Sequence, residues 1–336
     1  MLRKRYVIPG LAFHLIAEPG THAETALPQL AQFESDAEQP VEHEILVTTA
    51  PGDDAATIGA LIWSGALIDG TYAEVSRDGD RQQFRIPGQI SIVETRGEPV
   101  TRVEVTAGTD KPFRGMAAAV LLDTVIRDHG LLTIHAGSLM PPGRDDLVLL
   151  FAPSGYGKTT TSLALALSGY AHLGDDMVVL RKAEEGILAW GMPRTLKVQR
   201  RTAAMFPEIL PHLGAFGGEE DEAPLTRDAF AAMMPLPDPT KSYQTAAIVV
   251  VGPRSEGPAR VRPISKAEAL SVILTDNIGV FSDGVPRAQR ELFRLLTTLV
   301  STTPTFQLDA GSDPHKIAAA FDSALGIVRA AASVEA

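Results

Sequence analysis

The sequence predicts an α/β protein in two parts, a β-rich domain over residues 1–110 and an α/β domain over residues 111–336. Three observations carry this. Short alternating apolar–polar stretches, separated by turn residues, fill the first 110 positions. From Phe113 onward, unbroken apolar runs alternate with stretches of helical spacing. One such run, Leu147-Val148-Leu149-Leu150-Phe151, passes through a glycine-rich loop directly into a helical stretch.

Bulk properties narrow the function classes. At 336 residues the chain suits two domains, and a hydrophobic content of 45% is ample for buried cores. A net charge of −11 argues against a general nucleic-acid or membrane-surface binder, so any basic site is local. The chain has no cysteine, which removes disulfides, thiol catalysis and thiolate metal sites. That fits a reducing compartment, and the expected location is cytoplasmic. Met1 to Ala17 begins basic and turns apolar, but Pro9 and His14 interrupt it, so it reads as structure and not as a secretory signal. No segment reaches the ~18 apolar residues of a membrane span.

In the first domain, Tyr6 to Ala17 and Glu44 to Thr49 read as strands. Tyr72 to Val75, Gln83 to Ile86, Ile90 to Val93 and Arg102 to Val105 alternate, with Asp78-Gly79 and Pro87-Gly88 as turns. Antiparallel pairing with one wet face is the expected outcome. Residues 20–42 read as a surface loop or a short polar helix.

In the second domain, Phe113 to His129 reads as a helix ended by Gly130, and Leu131 to Ile134 as a strand leading into His135. The apolar run at 147–151 then meets Ala152-Pro153-Ser154-Gly155-Tyr156-Gly157-Lys158-Thr159, a phosphate-binding (P-loop) pattern with Ala152 in the first glycine's place. Gly155 and Gly157 let the backbone curl so that several N–H groups point at one phosphate chain, and the helix start adds positive potential. Lys158, expected as a solvent-facing loop cation, would reach the terminal phosphates, and the Thr159 hydroxyl would meet Mg2+. The nucleotide-binding candidates are Pro153, Ser154, Gly155, Tyr156, Gly157, Lys158, Thr159 and Thr160. Gly169 closes the helix.

Next, Tyr170 to Leu180 reads as an apolar strand interrupted by Asp175 and Asp176. A buried acid pair is costly unless a cation or metal satisfies it. Phosphoryl transfer uses two such groups, one to help hold magnesium and one to accept the acceptor's hydroxyl proton.

From His135 through Leu180 the chain resembles the catalytic core of the HPr kinase/phosphorylase family. The shared features are a histidine on the strand before the loop, the loop itself, and an Asp-Asp pair seventeen and eighteen residues after Lys158. The resemblance implies a P-loop kinase domain of the HPr kinase type preceded by the β-rich domain. It further implies that Lys158 binds the phosphates of ATP, Thr159 and Asp176 serve the metal, Asp175 is the base toward the acceptor hydroxyl, and His135 lies near Asp175 and tunes it. Thr160 and Thr161 follow Thr159 where classical members place Glu, and their Pro-Gly-Arg-Asn stretch is missing. The chain is more similar to divergent members, some of which phosphorylate precursor peptides.

The remainder is less specific. Arg194, Lys197, Arg200 and Arg201 form a local basic cluster, read as a solvated face or as a contact for nucleotide or an acidic substrate segment. Gly214 to Thr240, with Glu219-Glu220-Asp221-Glu222, reads as a mobile insertion. Ala246 to Val251 and Thr305 to Leu308 read as strands. Lys266 to Leu274, Arg287 to Val300 and Pro314 to Ala331 read as helices. The expected activity is ATP-dependent phosphorylation of a hydroxyl, most simply a serine of a peptide or small protein. A nucleotide-binding regulator or ATPase without an acceptor, and a small-molecule hydroxyl kinase, stay open. No nucleic-acid or membrane partner is expected; a homo-oligomer is left open.

Overall fold

The computed structural model describes residues 1–36, 40–50, 55–67, 69–184, 186–192, 195–218, 221–277 and 286–327. It is a mixed α/β structure with several sheets. The chain divides into two compact units, one of residues 1–132 and 278–292 and one of residues 133–277 and 293–336. The sequence places the division at 110; in the structure the helix after it belongs to the first unit.

The first unit is built on one eight-stranded sheet. Its strands are β1 (Leu2–Ile8), β2 (Leu11–Ala17), β3 (His43–Thr49), β4 (Ala60–Ala66), β5 (Tyr72–Asp78), β6 (Arg81–Ile86), β7 (Ile90–Thr95) and β8 (Val100–Val105), in the order β1-β2-β3-β8-β7-β6-β5-β4. Burial alternates along β2 and β3, as it must when successive side chains take opposite faces and only one face is covered. Helix α1 (Met116–Arg127) packs against β7 through a buried apolar stripe that includes Leu121 and Val125. The expected single strand over 6–17 is a hairpin: Ile8 pairs with Leu11 across Pro9-Gly10, with Gly10 at φ 91°. The antiparallel expectation needs correction too, because β3 pairs in parallel with both β2 and β8. A parallel neighbour needs a long crossover, and residues 18–42 supply it. They contain two short 3-10 turns, Ala23–Thr25 and Pro28–Phe33, and bury Leu30 and Phe33, so they are neither a plain surface loop nor a polar helix.

From residue 131 onward come β9 (Leu131–Ile134), β10 (Gly137–Met140), β11 (Leu147–Phe151), α2 (Lys158–Leu167), β12 (Ala171–Gly174), β13 (Val178–Ala183), β14 (Gly186–Gly191), β15 (Leu196–Gln199), α3 (Arg200–Ala203), β16 (Glu222–Leu225), α4 (Arg227–Met233), β17 (Tyr243–Val251), β18 (Arg260–Pro263), α5 (Lys266–Asn277), α6 (Pro286–Thr302), β19 (Thr305–Asp309) and α7 (Ile317–Leu325); all lie in the second unit except the first two residues of β9 and the start of α6, up to residue 292. The main sheet runs β12-β10-β11-β17-β14-β13-β9, with β19 also beside β17 and β18 beside β19. At its centre, β17 runs parallel to β11 on one side and to β19 on the other. All five residues of β11 are buried, so both faces are covered there. Helices α2 and α7 pack on each other, and Val148, Leu150, Leu163, Val249 and Phe321 share one core. Among the described residues no helix is long and apolar enough to cross a membrane.

Three sequence expectations change here. Asp175 and Asp176 do not interrupt a strand; they sit in the bend between β12 and β13, two strands that are not neighbours. Residues 214–240 are not a structureless insertion: β16 pairs with β15, Thr226 caps α4 by accepting from Ala229 N–H, and Leu225 and Phe230 are buried. Glu219 and Glu220 lie outside the described residues. The closing helix ends at Gly326, whose φ of 64° gives the left-handed cap, and residues 328–331 lie outside the described residues.

Candidate functional site

The site grows from the junction of β11 and α2. Ala152 is buried and belongs to the core beneath the loop, which explains why the first position takes a small residue. Gly155 and Gly157 hold φ 81° and 95°, backbone that a side chain would strain. The curl closes with Tyr156 N–H donating to Pro153 O, and Thr161 N–H to Gly157 O opens the helix. Free N–H groups at such a start suit an anion.

Lys158 is the first residue of α2 and is only 9% exposed, so the solvent-facing placement expected of it is corrected. Its Nζ donates to the main-chain O of Asp175 and lies 2.8 Å from Asp176 Oδ1 and 3.8 Å from Asp175 Oδ2. The two carboxylates are not equivalent. Asp175 is buried, and its oxygens accept from Thr159 Oγ1 and Ser162 Oγ, each at 2.7 Å. Thr159 and Ser162 stand three residues apart, on one face of α2, which is why both reach the same carboxylate. Asp176 is exposed and faces His135, whose Nε2 is 3.5 Å from Oδ1. His135 is expected near Asp175; the carboxylate its ring meets is that of the next residue, Asp176. The His135 ring first, and then Lys158, hold the Asp176 carboxyl well below the usual carboxylate range, outweighing partial burial.

One cavity of about 300 Å³ is lined by the loop from Ala152 to Thr161 and by His135 and Asp176 together. Pro153, Ser154, Gly155, Tyr156, Gly157, Lys158, Thr159 and Thr160 thus all line it, and Thr160 Oγ1 also lies 3.1 Å from Thr202 Oγ1. Of the basic cluster, Lys197 and Arg201 line the cavity. Arg200 turns away to pair with Asp221 at 2.5 Å and to stack over Phe216, 4.2 Å from its ring centre. Arg194 lies outside the described residues.

Five residues escaped the sequence reading. Ser162 is the second hydroxyl on Asp175; its signal was a hydroxyl at i+3 from Thr159, directly after a run of three threonines. Gly137 lies behind that carboxylate, and a Cβ there would sit 3.3 Å from Ser162 Oγ and 3.6 Å from Asp175 Oδ1. Arg254 lines the cavity from beyond β17, at the carboxyl end it shares with parallel β11. Asn277 contacts the main chain of His135. His172, three residues before Asp175, is buried against Phe230, and its Nε2 has no hydrogen-bond partner among the described residues. Burial brings its pKa down to about 4, so the ring is neutral at pH 7.

Two neighbouring oxygens, the Thr159 hydroxyl and the Asp175 carboxylate, form a hard donor set of the kind magnesium takes, with water and phosphate completing its shell. No group of three or more His, Cys, Asp or Glu residues suited to a metal occurs among the described residues. Comparison of the chain with models of known protein families and with characterised proteins found no match.

Proposed function

We propose that the protein is an ATP-dependent kinase that phosphorylates a hydroxyl, with a serine of a peptide or small protein as the acceptor. The observation that carries this reading is the shared cavity: the glycine loop with Lys158, and the exposed Asp176–His135 pair, open onto the same space. A phosphoryl-transfer site needs a phosphate cradle and an acceptor-side base within reach of one another.

The geometry favours exchanging the roles that the resemblance implies for the two carboxylates. Asp175, buried and holding the Thr159 hydroxyl, is placed to support magnesium with Thr159; the ion would supply neutralisation of phosphate charge. Asp176, exposed beside His135, would take the proton of the acceptor hydroxyl once bound nucleotide draws Lys158 away, because that ion pair weakens it as a base in the free protein. As it does so, the acceptor oxygen bonds the γ-phosphorus and the bond to the departing ADP oxygen breaks. Lys158 holds phosphate charge through the step, exchanging its Asp176 contact for the nucleotide, and His135 orients Asp176. The loop residues 153–160 hold the phosphate chain.

The test is phosphate transfer from radiolabelled ATP and Mg2+ to a panel of serine-containing peptides, alongside nucleotide affinity. Wild-type protein is expected to label at least one peptide, and Asp176→Asn to bind ATP normally while transferring about 10²–10⁴-fold more slowly. Tight ATP binding with no acceptor labelled, in peptides or in small hydroxyl compounds, would overturn the kinase reading in favour of a nucleotide-binding regulator.

A further inference from the structure

His135 follows directly on β9, and its ring is 44% exposed, so packing of the ring does not fix its direction. Its main chain is fixed instead, by a residue 142 positions away. Asn277, the last residue of α5, accepts from His135 N–H through Oδ1 at 2.6 Å, and its Nδ2 stands 3.5 Å from His135 O. The same Nδ2 donates to Ile273 O at 2.9 Å, which holds the amide against its own helix. One side-chain amide thus occupies the place of a neighbouring strand, beyond the point where β9 ends. Nothing else requires a polar residue there for docking of α5, since the helix packs on β17 and β19 and buries Ala269 and Ile273.

We propose that Asn277 is a positioning residue for His135: by clamping the histidine's N–H and C=O it fixes the direction in which the ring meets Asp176. This rests on the reading of His135 and Asp176 as the acceptor-side pair. Among the described residues the charged groups paired with the His135 ring are Asp176 and, through it, Lys158. Asn277 carries no charge at any pH, so its clamp does not itself titrate. Loss of the clamp leaves the nucleotide side untouched and lets the ring swing, a displacement of the kind that costs a reaction up to about 10²-fold.

The experiment is a double-mutant cycle of Asn277→Ala and His135→Ala in the full chain, read by transfer rate, KM for ATP, and the imidazole ¹⁵N signals at fixed pH. Asn277→Ala is expected to lower kcat by about 10–100-fold with the KM for ATP unchanged, and to cost nothing further once His135 is alanine. It is also expected to shift the His135 ring signals while those of His43 and His172 stay in place. Additive losses in the double variant, or an unmoved His135 signal, overturn the proposal while leaving the kinase reading standing. Should wild-type protein transfer no phosphate, the ring signal still decides, because it needs no acceptor. Asn277→Gln, which keeps the amide's donor and acceptor and adds no charge, guards against misfolding of the alanine variant. It is expected to hold the His135 signal near its wild-type position, and a shift as large as that of alanine sinks the clamp.

Discussion

The first unit buries a polar cluster around Gln83 and the second one around Asp175, and these two differ in a way that separates architecture from chemistry. In the first unit Gln83 is 1% exposed and spends its whole amide internally. Its Oε1 accepts from Ile58 N–H and Ser76 Oγ, and its Nε2 donates to Ala56 O and Ser91 Oγ. Two acceptor sites and two donors are all filled, so the network is closed. In the second unit Asp175 is buried behind Thr159 and Ser162, but Lys158 and Asp176, one residue further along, line an open cavity. A closed network can do nothing but hold strands in register. A cluster satisfied on its inner side and open on its outer side is rigid where it is anchored and available where it meets solvent, which is the arrangement catalysis requires.

The comparison yields predictions of graded size. The largest belongs to the open cluster: Asp176→Asn should slow transfer by about 10²–10⁴-fold while melting like the wild type, because the side chain is exposed and keeps its shape. Breaking the closed cluster should do the reverse. Gln83→Ala strands several buried partners, each worth about 1–3 kcal/mol, and should lower unfolding free energy by about 2–4 kcal/mol in denaturant titration with ATP affinity unchanged. An activity loss without a stability loss would erase the distinction drawn here.

Each unit also holds one buried histidine pulled down to about 4: His43, bonded to Thr101 and near His129, and His172, whose Nε2 has no partner among the described residues. A depressed folded pKa means that the unfolded chain takes the proton more readily. Stability is therefore full above about pH 6.5, falls as pH drops towards 4, and levels off below that, at a cost of up to about 3 kcal/mol per histidine. His172→Gln and His43→Gln should each flatten the measured stability–pH curve in that window, and a curve unchanged in both variants refutes the buried-neutral assignment.

The smallest effect belongs to the anchored side of the open cluster. Asp175→Asn keeps an acceptor for one hydroxyl and loses the charge behind Thr159, so the Mg2+ needed for half-maximal transfer should rise by about 10–100-fold. If this variant instead loses transfer at every Mg2+ concentration while Asp176→Asn only shifts the metal requirement, the carboxylate roles revert to those the family resemblance implies.

The local elements of both units were legible because they depend on patterns a few residues long. Alternation marked β5 to β8, and an unbroken apolar run marked β11 and the end of β17. Strand β4 was missed: its apolar residues Leu61 and Ile62 are exposed, so its burial carries no clean alternation. The parallel pairing of β3 was not readable either, since strand direction is set by where a long connection returns and not by the strand's own residues.

By itself the sequence determined the glycine loop, its buried strand and helix, and the presence of the acid pair, since each is fixed by chemistry within about 30 contiguous residues. Only the tertiary structure decided what those groups face. Adjacent Asp175 and Asp176 point one inward to two hydroxyls and one outward to His135, because a bend between two non-neighbouring strands sends successive side chains to different surroundings. Lys158 became a buried partner of both. Arg254 and Asn277 joined the site across long stretches of chain, Asn277 being 142 positions from His135. Such contacts depend on how sheet and helices pack, a property of the whole chain that no local pattern encodes.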